Sequence, residues 1–149
     1  MPALELTLRL LLAAGLGAAI GIERELRHKS AGLRTNILIA LGAALFTVVS
    51  VEMGTRGAGS VDRIAAQVVS GIGFLGAGAI LRDGGTVHGM TTAATIWVNA
   101  AVGIAVGAGD YAMATAATVV TLIVLAALPP IEGFFARRVG AIPRRRSDD

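Results

Sequence analysis

The sequence predicts an all-α fold: a polytopic membrane bundle of five transmembrane helices, N-terminus outside and C-terminus inside. Three observations carry that prediction. Of 149 residues, 54% are hydrophobic and only 15% charged, and the mean hydropathy is +0.73. All charges but Glu5, Arg9 and Arg34 lie outside five apolar runs, at residues 4–21, 33–51, 64–81, 90–108 and 111–128. An 18-residue helix is about 27 Å long, close to the ~30 Å of a hydrocarbon core. Finally, five crossings place Arg24, Arg27, Lys29, Arg34, Arg82 and the arginines from Arg137 to Arg146 inside, with only Arg9, Arg56 and Arg63 outside. That is the sense of the positive-inside rule. A re-entrant third run would strand the basic cluster between residues 24 and 34 outside. Residues 1–128 are thus expected to form a transmembrane domain, and 129–149 an interfacial segment and basic cytoplasmic tail.

The same composition narrows function. The basic pI of 10.6 records orientation and contact with anionic lipid, and argues poorly for nucleic acid. With no cysteine, disulfides, thiolate metal sites, thiol catalysis and palmitoylation are excluded. No nucleophile–base pair, metal-ligand cluster or nucleotide loop stands in the chain, so neither an enzyme nor a cofactor is expected.

In order, the first run has Arg9 followed by apolar and small residues, as a signal peptide would. The later runs are equally apolar, so it is read as a retained first span. Glu5 and Arg9 are spaced for an i, i+4 ion pair at the membrane edge. Ala13, Gly17 and Gly21 form a small-residue ladder that lets another helix approach, within the chain or in a dimer.

The charge cluster Glu23, Arg24, Glu25, Arg27, His28 and Lys29 follows, with Arg34 and Thr35 beyond it. Glu23–Arg27 and Glu25–Lys29 have the favourable acid-first i, i+4 order. The cluster is either a solvated loop fixing orientation or a polar site at the inner mouth. Span two is apolar except for Asn36, Thr47 and Ser50.

Asp62 and Arg63 open span three, where an Asp can cap the first amides. Arg63, Gln67 and Ser70 share one face at i, i+4, i+7, expected to point into the bundle beside Asn99 or into a wet cavity. That face serves either as a packing hydrogen-bond set or as a functional pathway. Glycine costs roughly 1 kcal/mol in a water-exposed helix interior, so Gly71, Gly73, Gly76 and Gly78 are expected to form a close-packing surface. The Gly71-Ile72-Gly73-Phe74-Leu75-Gly76 run matches a dinucleotide fingerprint literally, but no strand precedes it and no βαβ unit surrounds it.

Residues 82–89 look like a turn of hairpin type. Span four carries Thr91, Thr92 and Thr95, then Asn99, Gly103 and Gly107, so a polar edge changes into a glycine groove. Trp97 lies mid-span and is expected to pack in the core against glycine. A tight turn at Gly109-Asp110-Tyr111 leads to span five, which Pro129-Pro130 is expected to end.

Three blocks together resemble the MgtC/SapB family of bacterial inner-membrane proteins. They are Gly21-Ile22-Glu23-Arg24-Glu25 with Lys29 and Ala31-Gly32-Leu33-Arg34-Thr35; the stretch from Asp62-Arg63 through Gln67 and Ser70 to Gly78; and Gly89-Met90-Thr91-Thr92-Ala93-Ala94-Thr95-Ile96-Trp97. The resemblance implies a five-span helical domain in the cytoplasmic membrane. It also implies roles in growth at low magnesium and in survival of pathogens inside phagocytes, and, for the virulence-factor members, restraint of the F-type ATP synthase. Longer members add a soluble C-terminal domain, and this chain is expected to be a short form lacking it.

Two functions follow as expectations. One is a regulator acting through contacts with other membrane proteins, including a second copy, with a dimer favoured. The other is an oligomeric channel or transporter for magnesium or another cation, using Glu25, Asp62, Arg63, Gln67 and Asn99. Magnesium is held by carboxylates and retained waters, which makes Glu25 and Asp62 the weak metal candidates.

Overall fold

The computed structural model describes residues 1–57, 60, 63–83 and 86–138. Five helices are joined in chain order: α1 (Ala3–Leu26), α2 (Leu33–Thr55), α3 (Arg63–Gly78), α4 (Met90–Ala108) and α5 (Tyr111–Arg138). A short antiparallel hairpin, β1 (Leu81–Asp83) with β2 (Thr86–His88), stands between α3 and α4, with Leu81 opposite His88. Among the described residues, four helices are long and apolar enough to cross a membrane: α1, α2, α4 and the 111–135 part of α5. Many large apolar side chains face outward, among them Leu8, Leu11, Leu38, Phe46, Val120 and Ile123. A protein surface in water rarely exposes such continuous apolar area, whereas lipid requires it. This is a multi-pass membrane protein.

Small residues set the packing. On α1, a Cβ at Gly17 would lie 2.7 Å from the Asn36 carbonyl oxygen and 2.8 Å from Ala40 Cβ of α2. On α4, a Cβ at Gly107 would lie 2.5 Å from the Ala44 carbonyl oxygen, and one at Gly103 would press into the Ala40 carbonyl. The bare glycine backbones therefore let α2 be gripped from both sides, which is how helices gain van der Waals contact where lipid supplies no hydrophobic drive. The core consists of Ala13, Ala44, Val102, Val106 and Ala114, with a second cluster around Ile39, Ala43, Ile72, Ile96 and Ala100.

Those contacts also fix direction. Asn36 meets Asn99, Ala40 meets Gly103 and Ala44 meets Gly107, so both numbers rise together and α2 and α4 run parallel. The segment between them must return the chain along the bundle. α3 does this antiparallel to α2, starting where the Ile64 amide donates to Ser50 Oγ at 3.2 Å.

Two expectations about boundaries change. The third apolar run was expected to stay helical to Leu81, but α3 stops at Gly78 and Leu81 begins the hairpin. Its 16 residues span about 24 Å. Pro129-Pro130 was expected to end the fifth span, yet α5 continues to Arg138. Proline's fixed φ suits a helix, although its missing N–H leaves the Leu125 and Ala126 carbonyls without helical donors. Of the expected interfacial segment and basic tail at 129–149, the part beyond Arg138 lies outside the described residues. The two left-handed positions that bound α4 are glycines, which adopt that conformation without strain: Gly89 (φ 86°) enters α4 and Gly109 (φ 91°) ends it.

Candidate functional site

The charged cluster sits where α1 ends and α2 begins. Glu23 and Arg27 pair across one helical turn, as their spacing predicts. Arg24 is only 3% exposed, its nearest acid is Glu23 at 3.5 Å, and its buried Nε has no hydrogen-bond partner among the described residues. The Glu25–Lys29 pair does not form, because α1 ends at Leu26 and His28 turns into a left-handed conformation (φ 54°). Glu25 Oε2 instead accepts the Leu33 N–H at 3.0 Å. It caps α2 from across the loop and places its charge at the positive end of that helix. Glu25→Ala is expected to lower stability by about 0.5–2 kcal/mol, and Glu25→Gln by less, since it keeps the acceptor. Thermal unfolding of the detergent-solubilised chain measures both.

A buried amide pair lies just below. Asn36 Nδ2 donates to the Ala31 carbonyl at 2.8 Å and the Gly32 carbonyl at 2.9 Å. Asn99 Nδ2 donates to the Asn36 carbonyl at 2.6 Å and to Asn36 Oδ1 at 3.1 Å. Both side chains are fully buried, so this pair bolts α4 to α2 and to the loop that precedes it. Asn99 Oδ1 is left without a partner among the described residues. Thr47 and Thr95 bond carbonyls one turn back on their own helices. Thr92 is buried and Thr91 exposed.

At the opposite end, Arg9 pairs with Glu5, donates to the Gly107 carbonyl at 2.8 Å and lies 5.8 Å from the Tyr111 ring. It thereby meets the negative end of α4. The Met1 ammonium and Arg56 both pair with Glu52 at 2.7 Å. Asp110 Oδ1 accepts the Met113 N–H at 2.9 Å and caps α5.

α3 departs most from expectation. Arg63, Gln67 and Ser70 are exposed, and Gln67 does not lie beside Asn99. Of the four glycines, only Gly76 is buried, with Ala93 ordinary contact away. Gly71, Gly73 and Gly78 meet nothing within 4 Å. The close packing expected of them is absent because α3 rests on the bundle through Val68, Ile72 and Gly76, the other side of the same helix. Trp97 is 53% exposed rather than packed in the core. Gly17, Gly21, Gly103 and Gly107, by contrast, all lie against α2.

Glu25 is engaged by the α2 terminus, Asp62 lies outside the described residues, and among the described residues no three His, Asp or Glu side chains gather as a metal would need. Arg34 and Thr35 are exposed on the first turn of α2, and Lys29 is exposed in the loop. The sequence pointed only faintly to Asn36. A lone amide in an apolar span must find a partner, but naming Asn99 requires the parallel register of α2 and α4.

The MgtC family matches residues 10–134. An uncharacterized protein of Synechocystis sp. is 50% identical over 130 residues, covering 87% of this chain and 55% of the relative. Protein MgtC of Brucella abortus is 53% identical over 116 residues, 78% of this chain and 48% of the relative. Protein MgtC of Salmonella typhimurium is 53% identical over 115 residues, 77% and 48% respectively. The chain thus spans about half the length of the curated relatives it matches. No solved structure matches it significantly. A helical membrane bundle with these motifs in this order, matched over most of its length, belongs to the MgtC family.

Proposed function

We propose that this chain acts in adaptation to low magnesium in the bacterial cytoplasmic membrane, by contacting other membrane proteins through the outer face of α3. The observation that carries the reading is the uncovered stripe Ala66, Val69, Ser70, Gly73, Phe74 and Ala77. These positions recur at helical spacing and are all exposed, Phe74 by 83%. Small residues on a lipid-facing helix let another helix come close, and a serine among them can hydrogen-bond across. The proposed partners are a second copy, as a dimer, and the F-type ATP synthase that the resemblance implies.

The alternative, a cation conduit, finds less support within one copy. The α2–α4 seam is closed by glycine-to-backbone contact, and the amides there are tied to each other. Arg63, Gln67 and Ser70 stand on the surface rather than around an interior path. Five crossings with the N-terminus outside complete the proposal. The parallel run of α2 and α4 supports it, since it sets the basic α1–α2 loop at the same end as the start of α4.

The test is complementation of a deletion strain at low magnesium, with ATP measured alongside. Gly73→Leu and Ala77→Leu together are expected to abolish complementation at wild-type membrane abundance, because Gly73 meets no protein atom within 4 Å. Full complementation by that double variant contradicts the reading.

A further inference from the structure

A groove of about 770 Å³ runs between α2 and α3, on the opposite flank of α3 from the stripe described above. Its walls are apolar, with Leu38 and Phe46 from α2 and Val68 and Leu75 from α3. Gly42 and Gly71 both open into it, and neither meets an atom within 4 Å. Only Arg34, Thr35 and Gln67 give it polarity, and none of the three makes a hydrogen bond or ion pair among the described residues.

We propose that this groove binds one anionic phospholipid, with the phosphate on Arg34 and Thr35 and an acyl chain laid along the apolar walls. The polarity of the groove is that of an amphiphile. Arg34 and Thr35 lie together on the first turn of α2, and the apolar path runs from there toward Phe46. Those twelve residues rise about 18 Å, close to the ~15 Å of one leaflet's hydrocarbon. The antiparallel course of α3, fixed at Ile64 and Ser50, puts Gln67 at the far end, where its amide closes the apolar stretch. A transmembrane helix as occupant would need an apolar path about twice as long.

Charge decides the headgroup. The two acids at the end of α1 are already engaged: Glu23 holds Arg24 and Arg27, and Glu25 holds the Leu33 amide. Arg34 and the neighbouring Lys29 have no acid of their own among the described residues. Lipid of some kind fills such a groove in any bilayer. Arg34, the one cation that lines the groove among the described residues, selects one that carries a net negative charge.

Native mass spectrometry of the full chain in detergent, with phosphatidylglycerol and phosphatidylcholine offered together, tests the proposal. Phosphatidylglycerol is expected to be retained roughly fivefold over phosphatidylcholine, the factor one basic side chain near an anionic lipid supplies. Arg34→Gln is expected to bring the two to parity, Arg34→Lys to keep the preference, and Gly42→Leu to lower retention of both while the protein elutes as wild type. Equal retention by the wild type, or an unchanged preference in Arg34→Gln, overturns the proposal. So does displacement of the lipid by millimolar inorganic phosphate, which would make Arg34 a simple anion site. Loss of a dimer in Gly42→Leu with lipid retention unchanged would assign the groove to a second copy instead.

Discussion

Gly103→Leu is expected to abolish the folded bundle. The first atom of any side chain at 103 would press into the Ala40 carbonyl and lie 2.8 Å from Ala43 Cβ. Neither obstacle is the free end of a flexible side chain. The backbones of α2 and α4 must separate, and they are the two helices around which the core is built. Inserting even one extra methylene-sized group into a packed core costs about 1–3 kcal/mol, and leucine adds several. Native stability is only about 5–15 kcal/mol, so Gly103→Ala should lower the melting temperature measurably and Gly103→Leu should leave little folded protein. Size-exclusion of the solubilised protein and thermal circular dichroism measure this. Gly42→Leu, on the open side of the neighbouring helix, is the comparison and should melt within a few degrees of wild type.

Asn36→Leu should produce the second-largest loss. It removes the donor to the Ala31 and Gly32 carbonyls and the oxygen that Asn99 bonds. Interhelical hydrogen bonds in membranes average about 0.6 kcal/mol, but stranding a buried amide costs about 1–3 kcal/mol. Asn36→Leu and Asn99→Leu alone should therefore each destabilise by about 1–3 kcal/mol. The double variant should cost less than their sum, because the Asn99–Asn36 side-chain bond is lost in each single variant and only once in the double. The Asn36 main-chain carbonyl still serves Asn99 in Asn36→Leu. Strict additivity would show that the pair contributes nothing as a unit.

These two predictions mark what the sequence could and could not reveal. The Gly17–Gly21 and Gly103–Gly107 ladders are legible because four-residue spacing alone puts small residues on one helical face. Glu5–Arg9 and Glu23–Arg27 are legible for the same local reason. The α3 glycines have similar spacing, yet three of them face open space. Whether a small face is covered depends on which side of the helix its neighbours occupy, and that is tertiary information. Trp97 misled for the same reason. Glu25 chose the α2 terminus over Lys29 because α1 ends too early for the i, i+4 geometry. Asp110 could have been foreseen as a cap from its place just before an apolar run. The hairpin was legible as a hairpin-type turn at residues 82–89; that its first strand would take Leu81 from α3 was not.

The uncovered face of α3 is the centre of the functional account, and the chain's lack of cysteine allows it to be probed one thiol at a time. Single cysteines at Gly73, Ala77 and, on the lipid-facing side of α5, Ile123 can be coupled to a maleimide photocrosslinker in membranes from cells grown at low magnesium. The account predicts discrete protein adducts at Gly73→Cys and Ala77→Cys, and none at Ile123→Cys. Lipid adducts alone at all three positions, in strains that still grow, would contradict it.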